Sequence, residues 1–125
     1  MKKDIKNIDD IMILIDRFYQ QVIKDPEIGH IFTTTMKVNW EKHLPVMYSF
    51  WENTLFYTGA YTGNPMMVHQ GINKIAHLTN QHFDRWVKLF TTTVDDQFEG
   101  EKAELAKQRA LSIATIMKIK ILNGQ

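Results

Sequence analysis

The chain has 125 residues, and its 15 Lys and Arg nearly balance its 14 Asp and Glu, for a formal net charge of +1. We expect residues 1–125 to form a single domain with its own core. The balanced charge indicates no basic surface for nucleic acid, no apolar run reaches the roughly 20 residues that cross a bilayer, and the lack of cysteine excludes disulfides and thiolate metal sites. The sequence therefore predicts a cytoplasmic protein that binds neither nucleic acid nor membrane.

The first predicted helix covers residues 8–24, where apolar residues recur at steps of three and four. This stripe consists of Ile8, Ile11, Met12, Ile15, Phe18, Tyr19 and Val22. Asp25-Pro26 ends the helix, because the residue before proline avoids the helical conformation, and starts a short second one. Ile28, Ile31 and Phe32 mark the buried side of that second piece, and the threonines at 33–35 follow as a loop.

A third predicted helix runs from about Asn39, a suitable N-cap, to about Thr58. Its broad apolar face carries Trp40, His43, Leu44, Met47, Phe50, Trp51 and Leu55. Pro45 conflicts with a regular helix, since proline removes one hydrogen bond and clashes with the preceding turn at a cost of about 3 kcal/mol. Either the helix kinks there or its regular part begins near Leu44.

Two more helices are predicted near the C-terminus. The first extends from Asn80 or Gln81 to about Phe98, with Gly100 after it, and the second extends from Glu101 to Leu122. The first has a stripe of Phe83, Trp86, Val87, Phe90, Val94 and Phe98, and the second has Ala106, Ala110, Ile113, Ala114, Met117 and Ile121. No strand pattern longer than a few residues occurs, so the predicted fold class is all-α.

The stretch from Tyr61 to His69 predicts a turn that opens into a very short apolar helix. Pro65 suits the first helical position, and Gly63 and Gly71 limit the piece to about two turns. Met66, Met67 and Val68 precede the imidazole of His69, and Ile72 follows it. A histidine in such apolar surroundings is either a core residue bonded to a carbonyl or an axial ligand.

Polar-tipped rings on the predicted buried stripes are the informative exceptions in a bundle of amphipathic helices. Four of them stand out: Tyr19, His43, His69 and Trp86. Each also has an ordinary interpretation: a core tyrosine, a solvated histidine, a core histidine and a packing tryptophan. Their positions on the inner sides of different helices favour one shared pocket.

A set of motifs over nearly the whole chain supports that interpretation. The set comprises Phe18-Tyr19, Ile31-Phe32, Trp40-x-x-His43, Phe50-Trp51, Tyr61-x-Gly-x-Pro-x-x-x-His69 and Trp86-x-x-x-Phe90. With these motifs the chain resembles the truncated haemoglobins and, more closely, their third group. The resemblance implies a two-over-two sandwich of helices around a non-covalent haem b.

The resemblance also implies a role for each matching residue. His69 matches the proximal iron ligand, and Phe32 matches the phenylalanine that stacks on the porphyrin. The distal polar residues correspond to Tyr19, His43 and Trp86. The remaining side chains expected at the haem are Met47, Met66, Ile72 and Phe83. Candidates for the propionates, by position only, are Lys42, Lys74, His82 and Arg85.

The function that the resemblance implies is tight binding of oxygen and related diatomic ligands, including nitric oxide. A phenol O–H from Tyr19 and an indole N–H from Trp86 would stabilise bound oxygen by about 1.5–3 kcal/mol each. One alternative is a haem enzyme that acts on nitric oxide or peroxide with an external reductase. Another is a cofactor-free helical module or metal-binding bundle, although the five histidines are scattered and no His-x-x-x-His pair appears in the sequence.

Overall fold

Four helices build the part of the chain that a computed structural model describes, which is residues 2–31, 39–56 and 79–119. They are α1 (Ile8–Lys24), α2 (Trp40–Phe56), α3 (Asn80–Gln97) and α4 (Glu101–Met117). Helix α1 packs on α2 and on α3, α3 packs on α4, and α2 also contacts α4. The described residues contain no strand. The all-α prediction is confirmed, and the helices form two packed pairs.

Helix α1 begins and ends where its polar residues satisfy backbone groups. The side chain of Asn7 accepts a hydrogen bond from the amide of Asp10 at 3.1 Å, and the Asp10 carboxylate accepts one from the amide of Lys6 at 2.9 Å. At the other end, Asp25 adopts an extended conformation (φ −71°, ψ 130°), as expected before Pro26. The predicted bounds of this helix are therefore confirmed. Residues 26–28 form a turn and 29–31 are helical.

Helix α2 starts at Trp40 and passes through Pro45 without interruption. The Asn39 side chain accepts a hydrogen bond from the amide of Lys42 at 3.4 Å, so its predicted capping role is confirmed. Of the two alternatives for Pro45, a regular helix beginning near Leu44 is wrong. Proline has no amide to give to the carbonyl of Glu41, and the helix tolerates that loss within its second turn.

Helix α3 begins with a capping box that uses histidine. The amide of His82 donates to the Thr79 hydroxyl at 3.4 Å, while the Thr79 amide donates to Nδ1 of His82 at 3.1 Å. A glutamate or glutamine usually takes this position, so the imidazole acts here as the reciprocal acceptor. The arrangement fixes the start of the helix that carries Trp86.

The N-terminal segment crosses to the start of α4 and caps it. Gly100 precedes α4 with φ 138° and offers no side chain. Asp4 replaces the missing cap: its carboxylate accepts from the amides of Lys102 at 2.9 Å and Ala103 at 2.8 Å. The amide of Glu99 also donates to the carbonyl of Lys3 at 2.9 Å. This contact buries Ile5, which is 2% exposed.

The core lies between the two helix pairs. Its largest fully buried side chains are Ile5, Ile11, Leu14, Ile15, Phe18, Val22, Ile28, Leu55, Phe90 and Val94. Met12, which the predicted α1 stripe included, is 38% exposed, because Leu14 occupies the centre of the buried face and Met12 falls at its edge. Alanines at 103, 106, 110 and 114 line the buried face of α4 and let α3 approach closely. In the described part of the chain, no helix combines the length and apolar character needed to cross a bilayer.

Candidate distal pocket

Tyr19 and His43 meet where α1 packs on α2. The Tyr19 hydroxyl lies 3.2 Å from Nε2 of His43, which is hydrogen-bond distance. Tyr19 is 8% exposed and His43 is half-buried. The sequence placed both residues on the inner faces of two helices, and the structure brings their polar tips together.

Burial keeps both members of this pair uncharged at neutral pH. It raises the pKa of the Tyr19 phenol above its usual value and lowers the pKa of the His43 imidazole. If His43 carries its proton on Nδ1, Tyr19 donates to Nε2. If Nε2 carries the proton, it donates to the phenol oxygen and the phenol O–H turns to a different acceptor. Only the Nε2–H tautomer therefore presents the phenol as a donor to the pocket.

Aromatic rings fix the position of this pair. The Trp40 ring lies 5.1 Å from the Tyr19 ring and 5.7 Å from the His43 ring, centroid to centroid. Phe18 packs on the other side of Tyr19 at 4.9 Å. Such tilted and edge-on contacts restrict the rotamers of both polar side chains. The sequence placed Trp40 on the apolar face of this helix and in a motif, and the structure shows that its ring contacts both Tyr19 and His43.

Trp86, the third expected distal residue, connects to Tyr19 through one intervening ring. Its ring lies 5.6 Å from Phe18, edge-on, and 5.9 Å from Phe90, stacked. Phe90 in turn stacks on Trp51 at 4.8 Å. Trp86 is half-buried, as is Met47 on α2, while Phe83 is 5% exposed within the core. The rings of α1, α2 and α3 thus form a continuous aromatic cluster behind the polar pair.

The proximal ligand that the resemblance implies, His69, lies outside the described residues, as do the expected haem contacts Phe32, Met66 and Ile72. So does Lys74. Within residues 2–31, 39–56 and 79–119, no group of three His, Asp or Glu side chains is arranged to hold a metal ion. The proximal roles therefore stay predictions.

Two of the four propionate candidates have partners within the protein. Arg85 donates from Nε at 2.8 Å and from Nη2 at 2.6 Å to the carboxylate of Asp25, which is buried at the end of α1. His82 belongs to the capping box of α3. Lys42 is exposed. Arg85 and His82 are both partly exposed, but each already has a hydrogen-bond partner within the fold.

A hydrogen bond that the sequence did not indicate joins the outer sides of α1 and α2. The Tyr48 hydroxyl donates to the Asp16 carboxylate. Burial and this carboxylate raise the pKa of Tyr48 to about 12, so the phenol keeps its proton. The two residues are 32 positions apart, and no local pattern links them.

The chain is similar to known proteins over nearly its whole length. The sequence profile of the bacterial-like globins matches residues 5–123. A group 3 truncated hemoglobin of Campylobacter jejuni is 30% identical over 118 residues, which cover 92% of this chain and 91% of that protein. The crystal structure of a group III truncated hemoglobin from Campylobacter jejuni superposes with a TM-score of 0.82 at 27% identity, covering 97% of this chain and 95% of the other. The similarity spans both proteins almost completely.

Proposed function

Because the chain belongs to the bacterial-like globin family and, within it, to the group III truncated haemoglobins, we propose that it holds a haem b and binds oxygen and other diatomic ligands beside the Tyr19–His43 pair. The two-over-two truncated globin fold predicted from the sequence is confirmed by the structural match. Residues 1–125 then form one globin domain, in a protein of the cytoplasm.

The residues described here suit one side of a flat apolar cofactor. They supply two neutral polar tips set in a wall of aromatic side chains, which is the donor set that a bound diatomic ligand needs. In this proposal His69 would hold the iron, and Phe32, Met66 and Ile72 would contact the ring. Met47, Phe83 and Trp86 complete the lining. The haem supplies an iron atom with an open coordination position.

The observation that carries the proposal is the 3.2 Å contact between the Tyr19 hydroxyl and Nε2 of His43. When Nε2 of His43 donates to the phenol oxygen, the phenol O–H is directed to a partly negative ligand atom, and His43 fixes that direction. One such bond contributes about 1.5–3 kcal/mol, which lowers the dissociation constant of oxygen roughly tenfold to a hundredfold. The protein therefore releases oxygen slowly, which suits retention or chemistry better than delivery.

Absorption spectra and ligand-release rates test this proposal. The purified protein is expected to show a Soret band, which His69→Ala removes or severely weakens. Tyr19→Phe is expected to keep the band but to speed oxygen release about tenfold or more. A His69→Ala variant with full haem ligation would remove the axial assignment, and unchanged release from Tyr19→Phe would remove the distal one.

A matched pair of histidine variants tests the contribution of His43. His43→Leu removes the partner of the phenol, so we expect faster oxygen release. His30→Leu makes the same change at an exposed position after α1 and serves as the control. Equal release rates from the two variants would show that His43 does not act on the ligand.

A second candidate function is catalysis with nitric oxide or peroxide, sustained by an external reductase. The same contact favours it, because a phenol and an imidazole within hydrogen-bond distance form a path for proton delivery during O–O cleavage. Turnover with peroxide and a reductant is then expected to fall in Tyr19→Phe and His43→Leu but not in His30→Leu. Absence of turnover in the parent protein under any reductant would exclude this function.

A further inference from the structure

The hydrogen bond between Tyr48 and Asp16 is a phenol–carboxylate pair near the surface of the helix pair α1 and α2. Both side chains are half-buried, and the phenol O–H donates to Oδ1 of the carboxylate. Within residues 2–31, 39–56 and 79–119, no basic side chain forms an ion pair with Asp16. The negative charge of this carboxylate is therefore directed to the phenol.

Such a pair is suited to the loss of one electron from the phenol. A phenol that has lost an electron becomes a strong acid, so it is oxidised readily only where a proton acceptor lies within hydrogen-bond reach. The Asp16 carboxylate is that acceptor for Tyr48. Its negative charge also stabilises the positive charge that develops on the ring as the electron leaves. The pair therefore has the two properties that make a tyrosine redox-active.

An electron from Tyr48 has a short path along α2 to the distal pocket. Trp40, Leu44 and Tyr48 follow one another at steps of four and line the same depression between α1 and α2. Eight residues of helix span about 12 Å. The Trp40 ring lies 5.1 Å from the ring of Tyr19. Electrons tunnel between aromatic rings that do not touch, whereas protons need a hydrogen bond, so the electron can reach the pocket while the proton stays with Asp16.

Tyr48 is better placed than Tyr19 to exchange electrons with a molecule in solution. Tyr19 is 8% exposed, and its hydroxyl lies against Nε2 of His43. Tyr48 is half-buried on the outer side of the helix pair, where a soluble reductant can approach its ring. The two tyrosines thus suit different tasks: Tyr19 contacts the ligand, and Tyr48 exchanges electrons.

We propose that Tyr48 is a redox-active tyrosine that gives one electron to the haem after peroxide has oxidised it, with Asp16 as the proton acceptor, and that a soluble one-electron reductant then restores the phenol. This inference rests on the proposed function, since the bound haem supplies the oxidising equivalents. It places the entry point for reducing electrons at the surface of the helix pair α1 and α2.

The electrons and protons of this sequence balance. Reduction of one hydrogen peroxide molecule to two water molecules takes two electrons from the haem and two protons from solvent. Tyr48 returns one electron: its O–H bond breaks, the electron passes to the haem, the proton passes to the carboxylate of Asp16, and a neutral phenoxyl radical remains. A reductant of the hydroquinone or ascorbate class reduces the radical by one electron, and the proton returns from Asp16. A second round of the same two steps returns the other electron.

Electron paramagnetic resonance of the ferric haem-loaded protein, frozen at short times after peroxide is added, is the main test. We expect a phenoxyl radical signal that is lost in Tyr48→Phe, which keeps the ring and removes the hydroxyl. Tyr57→Phe makes the same change at another tyrosine and is expected to keep the signal. No radical in the parent, a full signal in Tyr48→Phe, or an equal loss in Tyr57→Phe would overturn the proposal. The Soret band and circular dichroism of each variant check that haem and fold are retained.

Spin trapping locates the radical without any substitution. A nitroso spin trap added with peroxide forms a covalent adduct at the site of the radical, and peptide mass spectrometry identifies the modified residue. The adduct is expected on Tyr48. Adducts confined to other residues would show that Tyr48 is not the site of oxidation.

Asp16→Asn tests the role of the proton acceptor. Asparagine still offers Tyr48 an oxygen as a hydrogen-bond partner, but its amide is not a base. We expect the radical to form about tenfold more slowly or less, while the Soret band is unchanged. Asp9→Asn removes an exposed acid from the same helix and is expected to leave the rate at the parental value. Equal rates in the parent and in Asp16→Asn would show that the carboxylate does not take the proton.

Photochemical oxidation gives a readout that involves neither peroxide nor turnover. Tris(bipyridine)ruthenium(III), generated by a light flash in solution with the haem-loaded protein, is expected to oxidise Tyr48 from outside, and more slowly in Asp16→Asn than in Asp9→Asn. No radical at Tyr48 would overturn its accessibility to a soluble redox partner. Failure of this inference is distinguishable from failure of the proposed function. A protein with a normal Soret band and tight oxygen binding keeps that function even if Tyr48 is never oxidised.

Discussion

Replacing Asp4 by alanine is expected to destabilise the fold although the residue lies four positions from the N-terminus. Its carboxylate accepts from three amides, those of Ile5, Lys102 and Ala103, at 2.8–2.9 Å. Loss of a helix cap costs about 1 kcal/mol, and the loosening of buried Ile5 adds a similar amount. We therefore expect Asp4→Ala to lower the free energy of unfolding by about 2 kcal/mol, or the Tm by roughly 6–12 °C.

Urea unfolding at equal haem saturation measures this loss, since bound haem itself stabilises the folded state. Asp9→Ala removes an exposed acid from the first turn of α1 and serves as the control. Gly100→Ala adds a Cβ 2.6 Å from Cγ of Asp4. The loss of unfolding free energy caused by Gly100→Ala should therefore be smaller when Asp4 is already replaced by alanine. A loss below about 0.5 kcal/mol in Asp4→Ala, or strictly additive costs in the double variant, would refute the capping argument.

Three further outcomes are expected. Gly29→Ala places a Cβ 2.8 Å from the carbonyl oxygen of Ile23, which as backbone cannot swing away, so urea unfolding should show a loss of about 1–3 kcal/mol. Although burial opposes it, the hydrogen bond from Arg85 holds the pKa of Asp25 below its usual value. The stability from Asp25 is therefore complete above about pH 4 and is lost as pH falls through the lower folded pKa, and circular dichroism should show a weaker acid dependence in Asp25→Asn. Burial lowers the pKa of His43 below its usual value of 6.5, so on acidification the unfolded chain protonates this imidazole before the folded chain does. The free energy of unfolding therefore declines as pH falls below about 6.5, and His43→Leu should remove this part of the pH dependence.

The helices could be predicted because their signal is local. Apolar periodicity gave α1 its bounds, and a single cap residue, Asn39, marked the start of α2. The course of the helix at Pro45 was harder to predict. The hydrogen bond that proline removes can be read from the sequence, whereas the packing of the whole helix that offsets this loss cannot. Met12 was wrongly included in the buried stripe of α1. Apolar periodicity shows which side of a helix is buried more reliably than how many residues that side includes.

Polar contacts between distant residues could not be predicted. Asp4 meets Lys102 across 98 positions, and Asp25 meets Arg85 across 60. In the sequence each of these acids is typical of a solvated surface position, and only the packed helices show what it binds.

The residues of the candidate pocket could be predicted from the sequence, but the contacts and distances between them could not. Its members came from the resemblance to the truncated haemoglobins, which named Tyr19, His43 and Trp86. The structure adds that Tyr19 and His43 share a hydrogen bond. It also shows that the Trp86 ring contacts Phe18, whose ring in turn contacts Tyr19. The proximal assignment of His69 stays a prediction.

The cap on α4 has a consequence for the order of events during folding. The acid at position 4 is synthesised almost a hundred residues before its amide partners at the start of α4. The contact therefore closes only after synthesis of the last helix, and a closure across so long a stretch of chain comes late. Its removal should accelerate unfolding and leave the rate of refolding almost unchanged. The contact between position 4 and the start of α4 thus governs how long the native state lasts more than how quickly it is reached.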